Sequence, residues 1–428
     1  MEGSLLPGRL RRAVALAGYK YKVWFRRHRR QLFLRWRDGD IADQMADYRR
    51  SVESRDWPAA LPKAMALGSI AKSRGEVHLI DELSKALMRM GAYGAAAELR
   101  IARRHIVNGR VDGEWLGQDI SGQTLLIDLM ETEKQGLATA IHHASSVGCA
   151  LARAARSIVL VERRLVPLFQ RTFPTADVRP VGAGGKAAYA EAQAFAGVQH
   201  LTAVFETDEA TIREHFVPLK PDPARVAELR ARYRKEGRPL VGIAWGSSNP
   251  GKDLPPLAAW RNLIGRPDLR FVSLQYGQIE TDLKILTDGE PERILHDRSV
   301  DQLVDMDLFA AQVAAMDAVV TISNTGAHLA GALGIPSVFI LGDGFKRSWP
   351  VEGDRTPYYP SAVLVSKRER PWSVVMGEAE SILAPWLTKV SFDAMRIKEF
   401  GRRTAEWSAR VEQSSQQAKK HKAFRTGI

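Results

Sequence analysis

The feature that most constrains the fold is a series of short, predominantly apolar runs in the second half of the chain. They are Leu240–Trp245 (LVGIAW), Phe271–Leu274, Ala318–Ile322 and Ser337–Leu341, each four to six residues long. Each holds at most one small hydroxyl residue and so has no polar face, and as a strand it must be covered on both sides. Helical stretches at 256–264, 308–316 and 326–333 separate the runs and supply the cover. This alternation specifies a parallel sheet between two layers of helices. A weaker series precedes it: Thr124–Leu129, Ser157–Glu162 with a helical stretch to Phe169, and Val178–Val181. The stretch 218–238, rich in Pro, Lys and Arg, joins the two series, and two doubly wound α/β domains are expected to face each other. Ligands of such sheets bind beyond the carboxyl ends of the strands.

The loops at those ends are therefore where chemistry is sought. After LVGIAW comes Gly246-Ser247-Ser248-Asn249-Pro250-Gly251-Lys252, a small, polar loop ending in one cation. Exposed backbone N–H groups and a lysine suit a diphosphate, although many loops between a strand and a helix have this composition. After AVVTIS the chain reads Asn324-Thr325-Gly326-Ala327-His328. Ser323 or Asn324 can cap the helix, Gly326 admits a ligand to its first turn, and the free N–H groups there favour an anion. His328 can add a hydrogen bond. A capped structural helix with a partly buried histidine fits these residues equally well.

Upstream, residues 40–110 lack β alternation and read as helical. Asp56-Trp57-Pro58-Ala59-Ala60-Leu61 and Ala92-Tyr93-Gly94-Ala95-Ala96-Ala97 resemble each other, with their aromatic residues 36 positions apart. That is near the period of a tetratricopeptide helix pair, but two units are fewer than a stable solenoid usually needs. A helical cap on the next domain is an equal reading.

Charge is concentrated at the ends. Residues 1–37 carry 11 Lys and Arg against one acid, and residues 396–428 carry 9 against 3, leaving −3 for the 358 residues between them out of a net +13. A nucleic-acid-binding domain carries its basic surface on the fold itself, so nucleic acid is not an expected partner. The N-terminal arm interleaves its cations with Tyr19, Tyr21, Trp24, Phe25, Phe33 and Trp36. That pairing suits an anionic membrane surface contacted through residues 9–37; a solvated basic arm is the alternative. The single cysteine, Cys149, leaves no internal disulfide and no zinc site built on cysteine pairs. No apolar leader and no membrane-spanning stretch is evident. The expected location is cytoplasmic, with peripheral attachment to the inner face of the cytoplasmic membrane through the arm.

The strings VGIAW, the loop with Lys252, FVSLQYG at 271–277, DMDLFAAQVAAMDAVVTISNTGAHLAGALG at 305–334 and PYYPS at 357–361 occur in that order. Together they resemble the C-terminal domain of the heptosyltransferase-like glycosyltransferases, family nine, in the form fused to tetratricopeptide repeats. A weaker likeness to that family's opening segment runs through DGEWLGQDISGQTLLIDLMETEKQGLATAI from residue 112. The resemblance implies an α/β protein of the GT-B type, a pair of Rossmann-like domains preceded by an α-helical tetratricopeptide-like region. The expected limits are a basic arm at 1–37, the helical region at 38–111, an acceptor domain at 112–237, a sugar-donor domain at 238–385, and a C-terminal helix and basic tail at 386–428.

The resemblance also implies a nucleotide-sugar as the donor substrate, with no cofactor and no metal. Lys252, Thr325, Gly326 and His328 would hold the diphosphate, Asn324 would belong to the same donor site, and Gln275 and Tyr276 would lie near the base or ribose. The acceptor would be a surface glycan, a lipid-linked glycan or a protein. Asp305-Met306-Asp307 matches a metal-binding string of other glycosyltransferases but precedes a helix, where capping is expected. On the acceptor side the chain departs from the family: its Gly-Leu-Gly-Asp loop is Gly136-Leu137-Ala138-Thr139 here. A threonine hydroxyl cannot accept a proton as a carboxylate does. His142, His143, Glu131 and Glu133 flank the loop and could supply a base, although ordinary polar residues on a helix are the favoured reading; the candidate catalytic residues are Thr139, His142 and His143. Two function classes stay open: a glycosyltransferase, or a catalytically inactive relative that binds nucleotide-sugar or acts as a scaffold in a polysaccharide pathway.

Overall fold

The computed structural model describes residues 39–130, 136–234, 237–343 and 349–386. The arm at 1–37, the flanking Glu131 and Glu133, and the tail beyond 386 lie outside the described residues.

Four helices come first: α1 (Gly39–Glu53), α2 (Trp57–Ser73), α3 (Val77–Arg89) and α4 (Tyr93–Asn108). Asp56 caps α2 by accepting from the backbone N–H of Ala59, and Pro58 sits in the first turn, where its missing N–H costs nothing. The helices bury one apolar stripe each in a shared cluster that includes Met45, Leu67, Ile80, Leu83 and Leu99. Gly68 sits at one close crossing: a Cβ there would lie 2.9 Å from the Leu99 side chain, which would have to shift. α4 then docks on the body, its Gly94 N–H donating to the Thr207 carbonyl at 2.9 Å.

The first sheet is built from β1 (Ile120–Asp128), α5 (Leu137–His142), α6 (Ala144–Leu151), β2 (Ala154–Val161), α7 (Val166–Thr172), β3 (Asp177–Pro180), α8 (Ala183–Glu191), β4 (Ala194–Gly197), α9 (Val198–Phe205) and α10 (Glu209–Glu214). Its four strands are all parallel, in the order β3-β2-β1-β4. After α11 (Pro223–Tyr233), capped by Asp222, the second sheet follows. It comprises β5 (Leu240–Ala244), α12 (Arg261–Ile264), β6 (Arg270–Ser273), α13 (Glu280–Leu286), β7 (Ile294–Leu295), α14 (Met306–Ala314), β8 (Ala318–Ile322), α15 (Thr325–Ala332), β9 (Ser337–Leu341), β10 (Ala362–Ser366) and α16 (Trp372–Trp386). Six parallel strands run in the order β10-β9-β8-β5-β6-β7. All five positions of β5, β8, β9 and β10 are buried, as double-sided cover requires.

Expected and observed strands agree to within a few residues in both series. The short β4, β7 and β10 were not expected from the sequence. The fold is mixed α/β with two parallel sheets. The helical region forms two packed helix pairs, which do not by themselves establish a tetratricopeptide repeat. Among the described residues, no helix is long and apolar enough to cross a membrane.

One apolar cluster runs through both sheets, from Leu125 and Ile127 of β1 to Leu240 and Ala244 of β5. Charged contacts cross the same boundary. Arg171 on α7 pairs with Asp307 through two hydrogen bonds of 2.8 and 3.0 Å. Asp305 caps α14 by accepting from Asp307 and Leu308 N–H. This string therefore caps a helix and joins the two halves, and no group of three or more potential metal ligands occurs among the described residues.

Candidate functional site

Three loops meet at the carboxyl edge of the second sheet. β5 feeds the loop holding Lys252, β6 feeds Gln275 and Tyr276, and β8 feeds the start of α15. The order β8-β5-β6 makes these strands neighbours, so Lys252, Gln275 and Thr325, 23 to 73 positions apart, share one edge.

Lys252 is part-buried, and its ammonium group donates to the carbonyl of Ser323. Among the described residues it has no carboxylate partner: the adjacent Asp253 pairs instead with Lys367, at 2.8 Å. Burial alone lowers the Lys252 pKa from its ordinary value. A half-buried cation held by a carbonyl dipole is poorly compensated, and an anion supplied from outside would complete it.

Gln275 and Tyr276 brace this loop. The Gln275 side-chain oxygen accepts from Trp245 N–H at 3.1 Å and Gly246 N–H at 2.7 Å. The Tyr276 hydroxyl accepts from Ser248 N–H at 2.8 Å. The far end of the loop lies against β9. A Cβ on Gly342 would fall 1.8 Å from the Asp253 carbonyl oxygen, so only glycine permits that approach. A pocket of about 10 Å³ remains between Lys252, Ser323 and Gly342. That holds roughly one water molecule, whereas a nucleotide needs several hundred Å³.

At the start of α15, Asn324 is the cap, accepting from Ala327 N–H at 2.9 Å. Thr325 and Gly326 are part-exposed. His328 is buried and stacks on Trp349, with ring centroids 5.0 Å apart and planes 13° apart. Trp349 in turn donates from its indole N–H to Ser323 Oγ at 2.7 Å. Burial, then the charges of Lys252 and His143, lower the His328 pKa to about 3. The ring is neutral at ordinary pH.

The candidate acceptor-side residues separate into two groups. Thr139 is part-exposed on α5, and no carboxylate among the described residues bonds to it. His142 and His143 are buried at 8% and 6% exposure. His143 Nδ1–H donates to Glu206 Oε1 at 2.8 Å, and Ser146 and Tyr358 hydroxyls donate to the same carboxylate at 2.6 and 2.9 Å. Burial acts to raise the Glu206 pKa, but the His143 charge and these three donors outweigh it, and the net shift is downward. His142 Nδ1 lies 2.9 Å from the Tyr359 hydroxyl, and His328 Nδ1 lies 2.8 Å from the same hydroxyl. Burial first, then its histidine neighbours, hold His142 far below the ordinary histidine range. Both histidines expected beside an open loop are thus internal members of a polar cluster that joins the two sheets. Their nearness to Thr139 in sequence gave no sign of this, because the cover comes from α15, against which α5 packs.

Glu206, Tyr358, Tyr359 and Trp349 are the members of this cluster that sequence reasoning did not assign a role. The two tyrosines lay in the PYYPS string, so their motif was visible. Nothing in the local sequence signalled Glu206, which follows α9 in what reads as an ordinary helix end.

No family model matches the chain. Its sequence matches Protein FlbA of Caulobacter vibrioides. The two are 32% identical over 291 residues, 63% of this chain and 48% of the relative, so the match spans about half the length of that protein. Among solved structures, the chain is similar to a family 9 glycosyl transferase from Veillonella parvula (9% identity, TM-score 0.47, 63% of this chain and 98% of that one). It is also similar to the ADP-heptose lipopolysaccharide heptosyltransferase II of E. coli (14% identity, TM-score 0.47, 61% and 99%).

Proposed function

We propose that the chain is a glycosyltransferase that uses a nucleotide diphosphate sugar and binds its diphosphate between Lys252 and the first turn of α15. The observation that carries this is Lys252: a part-buried ammonium with a carbonyl partner, no carboxylate among the described residues, and a capped helix start beside it. Lys252 bonds the carbonyl two residues before the helix, so a cation and the positive end of a helix dipole lie side by side, a combination with which proteins hold phosphate. The ordered strings of the sequence support a GT-B donor half of the family-nine kind. The acceptor would be a surface glycan, a lipid-linked glycan or a protein, and the basic arm at 1–37 would hold the enzyme on an anionic membrane.

The test is calorimetric titration of the full chain with UDP-, GDP- and ADP-sugars. Losing a hydrogen bond to a charged group costs about 1.5–3 kcal/mol, so Lys252→Ala should weaken binding about 10- to 150-fold. Equal affinity in wild type and variant would sink the assignment.

A second reading rests on a specific observation. Thr139 offers no carboxylate, and both neighbouring histidines are committed to the buried cluster. Under this reading the chain binds nucleotide-sugar without turning it over. Hydrolysis of the bound nucleotide-sugar needs only water, so its rate separates the two readings without knowledge of the acceptor.

A further inference from the structure

Tyr359 has one phenolic proton and two histidine nitrogens to serve. Its oxygen lies 2.9 Å from His142 Nδ1 and 2.8 Å from His328 Nδ1. Both rings are held neutral by burial. A neutral imidazole carries its hydrogen on one nitrogen only. The hydroxyl must therefore donate to one Nδ1 and accept from the other, and the two rings are forced into opposite tautomers.

The far nitrogens decide which is which. His142 Nε2 is fully buried with no hydrogen-bond partner. An orphaned buried N–H is a rarer and costlier defect than an under-used acceptor. His142 therefore carries its hydrogen on Nδ1 and donates to Tyr359, whose O–H then donates to His328 Nδ1. That leaves the hydrogen of His328 on Nε2. His328 Nε2 makes no hydrogen bond within the described residues, and the ring lies near enough to Lys252 to feel its charge.

We infer that Tyr359 is a positioning residue that fixes His328 as an Nε2–H hydrogen-bond donor toward the anionic group of the ligand, with His142 of the opposite sheet fixing Tyr359 in turn. The inference rests on the reading of the α15 start as a diphosphate site. It adds that a helix of the first sheet sets the polarity of a residue in the second. The stacking of His328 on Trp349 prevents the ring from rotating to exchange its nitrogens without disrupting that packing.

The experiment uses the full-length protein labelled with ¹⁵N-histidine, and UDP, GDP and ADP as probes. In wild type the spectrum of His328 should show a pyrrole-type Nε2 and a pyridine-type Nδ1. Tyr359→Phe keeps the ring but removes the hydroxyl, and His328 should then show mixed tautomers. The tightest-binding diphosphate should lose about 2- to 12-fold in affinity, the range for one neutral hydrogen bond. His328→Gln places a fixed N–H₂ donor near the Nε2 position, so adding Tyr359→Phe to that variant should cost no further affinity. An Nδ1–H tautomer at His328 in wild type would overturn the inference. So would an equal loss from Tyr359→Phe in both backgrounds, which marks a merely structural role. If none of the three diphosphates binds wild type, the diphosphate reading fails, while the spectrum still decides the tautomer.

Discussion

The Tyr358 hydroxyl donates to Glu206 Oε2 across 2.9 Å, tying the segment before β10 in one sheet to the end of α9 in the other. Glu206 is 3% exposed, and the donors that compensate its carboxylate come from both halves of the molecule. Removing a single donor from such a group leaves a buried charge under-served.

Tyr358→Phe should therefore destabilise the protein by about 1.5–3 kcal/mol, the worth of a hydrogen bond to a charged group. Glu206→Ala, which strands the buried partners, should cost about 3–5 kcal/mol. Urea denaturation checks both. A loss below about 0.5 kcal/mol for Tyr358→Phe would mean that the two halves are not coupled through this pair.

Stability should fall on acidification in a defined window. His328 and His142 have folded pKa values below their unfolded ones, His328 at about 3. The unfolded chain then binds more protons below pH 6.5, so the contribution of both is full above about 6.5 and falls with pH, that of His328 being lost as pH approaches 3. Each such proton gives a slope of about 1.4 kcal/mol per pH unit. Glu206, whose pKa is also lowered, adds its loss only below about 4.5. His328→Gln should flatten the profile between pH 6 and 4; an unchanged slope would contradict the neutral buried state.

Two glycine substitutions should act in opposite directions. In Gly342→Ala the new methyl would meet the Asp253 carbonyl oxygen 1.8 Å away, so the Lys252 loop must move, at about 1–3 kcal/mol. Gly377 lies within α16, and a methyl added there would meet nothing within 4 Å. Gly377→Ala should stabilise by about 0.4–1 kcal/mol, because glycine has more backbone freedom to lose on folding than alanine. A melting temperature unchanged or raised in Gly342→Ala would refute the loop contact, and one lowered in Gly377→Ala would refute the open space on α16.

Thr139→Asp restores a carboxylate at the part-exposed start of α5. General-base assistance is worth about 10²–10⁴-fold. The variant should hydrolyse bound nucleotide-sugar faster than wild type, and the measurement is release of free nucleotide with time. A fast wild type indifferent to Thr139→Asp, His142→Gln and His143→Gln would place the catalytic centre elsewhere.

Deleting residues 1–37 removes 11 cations and should abolish flotation on anionic liposomes. For the full chain, flotation should weaken steeply with salt, since screening shortens to about 3 Å at 1 M. Equal flotation of both proteins would assign membrane contact to some other surface.

The sequence by itself determined the parts whose causes are local. Runs this apolar, with at most one hydroxyl residue each, must be buried on both faces, so β5, β6, β8 and β9 were legible within a residue or two. Asn324 before Thr325 and Asp305 before Met306 are short side chains that cap the helix following them, and both do so here. Two-residue β7 and the four-residue β4 carry too little periodicity to be seen, and β10 follows a stretch of Pro and Tyr that reads as a loop. What only the tertiary structure decided is which polar groups meet. His142 and His328 are 186 positions apart, and their shared hydroxyl on Tyr359 exists because α5 packs on α15. A histidine's sequence neighbours give no measure of its burial. Whether the ring is a solvent-facing base or a neutral internal hydrogen-bond donor is set by desolvation and by the one proton of a tyrosine, and both arise only when the two sheets close on each other.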